Sequence, residues 1–203
     1  MVVAPPQVTA ASPEPVSRST TLATFLQLLC ARPAAEVVDL GGVVGANITF
    51  LGDRIGCKIH VEDLYADLDR HARQDGLDQV AVFLKSRFSH LDESIDAMLC
   101  WDVFDYLDRA AAHVLAGESM RMLRPGGILL AFFGEGRSSD LRYTRYCIVD
   151  ETHLRHKFYA AACRRRLVLQ NREIFNLFGK LAVLDSILLK SGVRELLFQK
   201  PTN

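Results

Sequence analysis

The sequence of 203 residues has no long hydrophobic run and no excess of charge of either sign. Its apolar runs fall far short of the ~20 residues that span a membrane as a helix, so we predict no membrane-embedded segment. It contains 24 Lys and Arg residues against 24 Asp and Glu residues. That balance gives no support for a nucleic-acid surface built on bulk positive charge, and we predict neither nucleic acid nor a membrane as a partner.

Cysteines are few and irregularly spaced. The chain has five, an odd number, and no two of them are spaced as C-x-x-C. This pattern argues against a disulfide framework and a zinc site, and it suits a reducing cytoplasm, which is the predicted location. His153 and His156 lie three positions apart, but we interpret them as surface histidines and predict no metal site.

The residues that are present indicate one globular α/β domain. Hydrophobic residues make up 49% of the chain and charged residues 24%, which is typical of a folded domain with its own core. The first 18 residues are rich in Pro, Ala, Val and Ser and lack the basic start and apolar core of a signal peptide. We therefore predict a disordered tail over residues 1–18 and a single domain over residues 19–203.

The most informative stretch begins with a short strand and a glycine turn. Val37–Leu40 is apolar, rich in β-branched residues and too short for a helix, which predicts a buried strand. Gly41, Gly42 and Gly45 follow, so the chain can turn sharply and its backbone can approach another group closely. Apolar residues at helical spacing then predict a helix with Asn47 as its N-cap.

An acidic residue follows the next predicted strand, Lys58–Val61. In a parallel sheet, Glu62 and the glycine turn lie at the same carboxyl edge, where the ligands of such sheets bind. Glu62 comes 21 positions after Gly41 (62 − 41), close to the ~20 expected for an acid that binds ribose hydroxyls. The spacing predicts a nucleoside-containing cofactor.

Two residues of the turn bear on which cofactor this is. A dinucleotide fingerprint reads G-x-G-x-x-G, and its middle glycine, which makes room for a pyrophosphate, is Val43 in this chain. Asp39 lies at the end of the strand, where its carboxylate would repel a phosphate but hold a cation such as an amino group or a sulfonium. Both features argue against a nicotinamide dinucleotide.

With these residues, the chain resembles the class I S-adenosylmethionine-dependent methyltransferases. The matching segments are D-x-G-x-x-x-G-x-N over Asp39–Asn47, Glu62-Asp63, Asp96–Asp102 and Leu123–Leu130. Their order and spacing, over roughly residues 36–133, carry the resemblance, and Val43 departs from it because the family usually has glycine there. The resemblance implies S-adenosylmethionine as cofactor. It also implies an α/β, Rossmann-like, doubly wound, mostly parallel seven-stranded sheet with a C-terminal antiparallel hairpin.

Apolar runs place the remaining elements. Further strands are predicted at Val80–Phe83, Ile95–Trp101 and Ile128–Phe133. Residues 134–170 are predicted as an insertion near the substrate pocket, with a hairpin formed by residues 143–149 and 154–159. Two apolar strands, 181–189 and 193–199, are joined by a turn with a glycine, which predicts the terminal hairpin.

The resemblance implies a cofactor site at the carboxyl edge of the sheet. The residues assigned to the cofactor are Asp39, Leu40, Gly41, Gly42, Gly45, Asn47, Glu62, Asp63, Cys100, Trp101 and Asp102. The aromatic candidates for a pocket around the methyl group are Trp101, Phe104 and Phe133. A general base is needed only if the acceptor must lose a proton, and no catalytic residue is assigned. Weak candidates for such a base are Asp102, Tyr106, Tyr143 and His153.

Methyl transfer to a small molecule is the predicted function. The N/D-P-P-Y/F motif, typical of enzymes that methylate amino and amide nitrogens, is absent, since Cys100–Val103 stands in its place. This lowers the case for a DNA adenine acceptor. One alternative is a degenerate methyltransferase-like domain used for binding, which Val43 favours, and a less favoured one is an NAD-dependent oxidoreductase. The sequence does not specify the acceptor, its reacting atom or the oligomeric state.

Overall fold

The computed structural model describes residues 14–134, 142–163 and 167–202. The strands of this part are β1 (Val16–Arg18), β2 (Glu36–Asp39), β3 (Lys58–Val61), β4 (Ile95–Trp101), β5 (Leu123–Gly134), β6 (Arg142–Asp150), β7 (His153–Ala160), β8 (Ala182–Leu188) and β9 (Val193–Gln199). The α-helices are α1 (Thr20–Cys30), α2 (Gly45–Ile48), α3 (Leu64–Arg73), α4 (Val80–Arg87), α5 (Arg109–Met122) and α6 (Asn171–Leu177).

The main sheet has six strands in the order β3-β2-β4-β5-β9-β8. The first four are parallel, whereas β9 runs antiparallel to β5 and β8 runs antiparallel to β9. The parallel strands therefore end at one common edge, which carries the segments after Asp39, Val61, Trp101 and Gly134. The structure is an α/β fold with a mixed sheet.

A second sheet of three antiparallel strands, in the order β1-β7-β6, lies on one side of the main sheet. Tyr146 and Ile148 of β6 and Leu154 of β7 join the same buried cluster as α1 and the π-helical segment Thr49–Arg54 that continues α2. Apolar residues of α3, α4, α5 and α6 form the cluster on the opposite face. Alternate residues of β4 point into the two clusters, as the two-residue period of a strand requires.

The strand predicted at Val80–Phe83 is wrong. The segment is the start of α4, whose buried residues Val80 and Leu84 lie four positions apart, at helical spacing. A short apolar run does not distinguish a buried strand from a buried helix, and here α4 packs against α5. Within the part of the chain that the structure describes, the main sheet consequently has six strands in place of the predicted seven, and β3 is its edge strand.

Two other boundaries also differ from the predictions. The tail predicted over residues 1–18 is too long, because Val16–Arg18 forms β1 and pairs with β7. Residues 1–13 lie outside the described residues. The helix predicted to have Asn47 as its N-cap begins at Gly45, with Val44 as its N-cap. Within the predicted insertion, the hairpin is formed by β6 and β7, and residues 135–141 and 164–166 lie outside the described part.

Candidate functional site

The carboxylate of Asp39 is the centre of the hydrogen bonds at the glycine turn. It lies at the end of β2 and is only 3% exposed. Its Oδ1 accepts a hydrogen bond from the Gly41 N–H at 2.9 Å and another from the indole Nε1–H of Trp101 at 2.7 Å. Burial raises the pKa of Asp39 to about 6, while the two hydrogen bonds oppose that rise because they stabilise the charged form.

The indole of Trp101 lies directly against the backbone of Gly41. A Cβ atom at position 41 would lie 2.6 Å from Cδ1 of Trp101, so a side chain at this position would force the indole to move. Trp101 ends β4 in a left-handed conformation with a φ of 50°, which is uncommon for a bulky residue. Its ring stacks on Tyr146 with the centroids 5.2 Å apart and the planes 11° from parallel.

The side chain of Arg145 lies against the next glycine of the turn. A Cβ atom at Gly42 would lie 2.7 Å from Nε of Arg145 and 3.4 Å from its Cδ. The guanidinium carbon is 4.0 Å from the ring centroid of Tyr159, across the β6–β7 hairpin. Both buried glycines of the turn are thus covered by side chains of the chain itself.

Asn47 fixes the turn to β6. Its Nδ2 donates to the carbonyl of Tyr146 at 2.8 Å, and its Oδ1 accepts from the N–H of Ile148 at 2.7 Å. The side chain is buried and serves two backbone groups that would otherwise lack these bonds. Val43, which departs from the family pattern, is 56% exposed and points away from the packed side of the turn. A Cβ atom at Gly45 would meet nothing within 4 Å.

Glu62 lies beside Asp39 at the end of β3, and both of its carboxylate oxygens are engaged. The Glu62 N–H donates to the Asp39 carbonyl at 2.8 Å. Oε2 accepts from Arg87 Nη1 at 2.7 Å, and Oε1 lies 2.7 Å from His90 Nε2. A carboxylate has about four acceptor sites, so these contacts orient Glu62 and leave capacity for further donors. Asp63 has a φ of 39° and caps α3 by accepting from the Ala66 N–H at 3.2 Å.

Asp102 is buried and accepts a hydrogen bond from the hydroxyl of Tyr65 at the start of α3. Burial raises the pKa of the Tyr65 hydroxyl well above its ordinary value, so the hydroxyl keeps its proton and acts as a hydrogen-bond donor. The Tyr65 ring also contacts Tyr106 and Tyr143, with centroids 5.7 and 4.9 Å away. Cys100, the residue before Trp101, is fully buried in the core.

The other candidates for a base are engaged elsewhere. The Tyr106 hydroxyl donates to the Arg142 carbonyl at 2.9 Å, and the Tyr143 hydroxyl lies 2.9 Å from Cys163 Sγ. Burial raises the pKa of Tyr143, which disfavours the deprotonated form that a base requires. His153 lies at the start of β7, and its Nδ1 is 3.0 Å from the Asp150 carboxylate.

The structure therefore brings Asp39, Gly41 and Trp101 into direct contact and holds Glu62 and Asp102 at neighbouring strand ends. Sequence reasoning did not identify five residues that contact these positions: Tyr65, Arg87, His90, Arg145 and Tyr146. Tyr65 had a local signal, since it lies three residues beyond Glu62 at a helix start. The others reach the site through tertiary packing, for which the sequence offers no local pattern.

The residue types at this edge suit an adenosyl amino acid, but the space in this structure does not. Asp39 and Glu62 provide carboxylates for an amino group and for ribose hydroxyls, respectively. Trp101 and Arg145 occupy the volume against Gly41 and Gly42. A ligand cannot lie on the backbone of these two glycines unless at least one of the two side chains moves.

The described residues contain neither a membrane-spanning helix nor a metal-binding cluster. No helix of this part combines the length and the apolar character that crossing a membrane requires. Within the same ranges, no group of three or more His, Cys, Asp or Glu side chains is arranged to hold a metal ion.

Comparison with known protein families identifies a domain in this part of the chain. Residues 38–131 match the family model described as a methyltransferase domain. The match begins within β2 and ends within β5, so it includes the glycine turn, Glu62 and Asp102. No curated protein is a significant sequence match. None of these comparisons supports an NAD-dependent oxidoreductase or a degenerate binding domain.

Solved structures share the fold at low sequence identity. The 1,6-didemethyltoxoflavin-N1-methyltransferase of Burkholderia thailandensis, solved with 1,6-didemethyltoxoflavin and S-adenosylhomocysteine, is 16% identical, with 89% of this chain and 76% of that chain covered and a TM-score of 0.56. A TehB-like SAM-dependent methyltransferase from Corynebacterium glutamicum is 15% identical, with 88% and 87% covered and a TM-score of 0.52. The [4+2]-cyclase SpnF is 13% identical, with 89% and 81% covered and a TM-score of 0.51. Because SpnF is named for another reaction, the shared fold alone does not determine the chemistry.

Proposed function

We propose that the chain transfers a methyl group from S-adenosylmethionine to a small-molecule acceptor, and the match of residues 38–131 to a methyltransferase domain supports this proposal. The observation that carries this proposal is the convergence of three acidic residues at the ends of neighbouring parallel strands. Asp39 follows β2, Glu62 follows β3, and Asp102 follows β4. Ligands of open α/β sheets bind at this edge.

The cofactor supplies a methyl group that its positive sulfur has already activated, so the protein mainly has to bind and align the reactants. In that scheme Glu62 accepts hydrogen bonds from the ribose, and Arg87 and His90 hold its carboxylate in place. Asp39 attracts the positive end of the amino acid portion. None of the candidates for a base needs to act if the acceptor atom reaches the site without a proton.

The acceptor is proposed to enter from a cavity of about 530 Å³ at the end of β5. This volume lies in the range of small-molecule pockets. The cavity is next to the segment that follows β4, because the N–H of Gly134, one of its lining residues, donates to Asp105 Oδ2 at 2.9 Å. Gln170, Asn171 and Arg172 also line it, so we expect a polar acceptor.

Calorimetry with S-adenosylhomocysteine tests the proposal directly. We expect saturable binding to the wild-type protein and none of NAD. A Glu62→Gln variant should bind S-adenosylhomocysteine about 10- to 100-fold more weakly, since hydrogen bonds to a charged group contribute about 1.5–3 kcal/mol.

Glu36→Gln is the matched control for the Glu62 variant. Glu36 also pairs with a histidine and a cation, with Oε2 3.0 Å from His60 and Oε1 3.3 Å from Lys58, but it lies at the opposite end of β2. It should leave the affinity unchanged. If the wild-type protein gives no heat at millimolar S-adenosylhomocysteine, or binds NAD instead, the proposed function is wrong.

A further inference from the structure

We propose that Arg145 is a side-chain plug that keeps the glycine turn closed in the cofactor-free protein and must leave Gly42 before the cofactor binds. The inference deepens the proposed function, on which it rests for the identity of the ligand. The contact joins the side chain of Arg145 to the peptide group of Gly42. Its effect can therefore be measured in the protein without any ligand as well as in the complex.

The contact is close along the length of the side chain. Nε, Cδ and Cγ of Arg145 lie 2.7, 3.4 and 3.5 Å from the position that a Cβ atom of Gly42 would take. Gly42 is buried, and the three nearest atoms to its Cβ position all belong to the Arg145 side chain. The glycine at this position thus provides room for a neighbouring group, and that group is Arg145 in this structure.

Arg145 is less firmly held than Trp101, the other covering side chain. Trp101 is 2% exposed, stacks on Tyr146 and donates to Asp39, so its displacement would open the core and break a buried hydrogen bond. Arg145 is half-buried, and among the described residues no carboxylate lies within ion-pair distance of it. Its guanidinium rests on Tyr159, a ring that is 38% exposed. We therefore assign the moving part to Arg145 and the fixed wall to Trp101.

The strand that carries Arg145 is held in place. Asn47 bonds to the β6 backbone just beyond this position, at Tyr146 and at Ile148. β7 pairs with β6 along its length and is itself paired with β1. Opening by a rotation of the side chain preserves all of these bonds, whereas opening by movement of the hairpin would break them.

Calorimetry with S-adenosylhomocysteine measures the cost of removing the plug. Arg145→Ala should bind the ligand about two- to fivefold more tightly than the wild-type protein, the factor that corresponds to an exposed cation–π contact of about 0.5–1 kcal/mol. Arg155→Ala is the control, because Arg155 is an exposed arginine of the same hairpin, on β7. It should leave the affinity unchanged. Equal affinity of wild type and Arg145→Ala would overturn the proposal, and weaker binding would show that the guanidinium holds the ligand instead.

A thermal-unfolding cycle tests the contact without any ligand. Gly42→Ala should lower the melting temperature of the wild-type protein, because the new methyl group meets Arg145. In the Arg145→Ala background the same substitution should cost clearly less. Additive effects would refute the plug. If no variant binds S-adenosylhomocysteine but the two substitutions are coupled, the proposed function fails and the closed turn stands.

Discussion

Asp39→Asn is the substitution that tests the electrostatics of the glycine turn most directly. Asparagine has nearly the same shape, and its Oδ1 can still accept from the Gly41 N–H and from Trp101 Nε1. The substitution therefore removes the negative charge and keeps the two hydrogen bonds. It resembles the protonated form of Asp39 at every pH.

The magnitude follows from the raised pKa. Burial raises the pKa of Asp39 from an ordinary 3.8 to about 6, and one pKa unit corresponds to about 1.36 kcal/mol. Between these two values the folded protein binds more protons at this site than the unfolded chain does. The free energy of unfolding consequently falls as the pH rises from about 4 to about 6, by about 3 kcal/mol in total. The Asn variant has no carboxyl group at this position, so its free energy of unfolding should not fall in this way as the pH rises.

We expect the variant to be more stable than the wild-type protein at pH 8, by up to about 3 kcal/mol, and the difference to shrink to less than about 1 kcal/mol at pH 4. Urea unfolding at several pH values between 4 and 8 measures both free energies. The fluorescence of Trp101, which is the single tryptophan of the chain and contacts Asp39, reports the transition. Asp53→Asn, at an exposed position, is the matched control and should not change with pH in this way.

One result would refute the reasoning. If the stability difference between wild type and Asp39→Asn is the same at pH 4 and pH 8, then the buried carboxylate does not titrate with a raised pKa. In that case the hydrogen bonds from Gly41 and Trp101 offset the effect of burial, and the folded protein does not disfavour the charged form.

Three further substitutions test the packing of the turn, each by urea unfolding. Asn47→Ala should lower the free energy of unfolding by about 1–3 kcal/mol, because two backbone groups of β6 lose their hydrogen-bond partners. Asn176→Ala, at an exposed position, is the control and should lower it little. Equal losses in the two variants would contradict the anchoring of β6 by Asn47. Tyr65→Phe should lower the free energy of unfolding by about 1–2 kcal/mol, because buried Asp102 loses a hydrogen-bond donor. An unchanged free energy of unfolding would show that this bond contributes nothing to stability. Gly41→Ala should destabilise the protein and shift the Trp101 emission, because the new methyl group would lie 2.6 Å from the indole; an unshifted spectrum would place the indole elsewhere.

Local patterns in the sequence predict the parallel part of the fold well. The strands at residues 37–40, 58–61, 95–101 and 128–133 were predicted from short apolar runs, and the structure has β2, β3, β4 and β5 at these places. The runs of β2, β4 and β5 are buried on both faces of the sheet, so their hydrophobicity is a direct consequence of their position, whereas the edge strand β3 is only partly buried. The glycine turn and Glu62 follow from the same logic, since both are defined by where a strand ends.

The prediction failed where an element's type depends on its partner. Val80–Phe83 is as apolar and β-branched as a strand, but Val80 and Leu84 are buried against α5. Among the described residues, no strand pairs with the outer side of β3. The intrinsic secondary-structure preference of a short segment is weak, and tertiary packing overrides it. The helical conformation of this segment affects the site, because Arg87, at the end of α4, is the cation that binds the carboxylate of Glu62.

The glycine turn shows most clearly what a sequence motif leaves undetermined. A glycine permits a close approach to its backbone, and the sequence does not say what approaches. In this chain the approaching groups are the indole of Trp101 at Gly41 and the stem of Arg145 at Gly42, and the second comes from a hairpin about a hundred residues away. The same two glycines would be required if a cofactor lay there. The motif therefore predicts a cofactor site and a self-packed turn equally well. Only the ease with which Arg145 can be displaced, set against the fixed burial of Trp101, distinguishes a site that opens from one that does not.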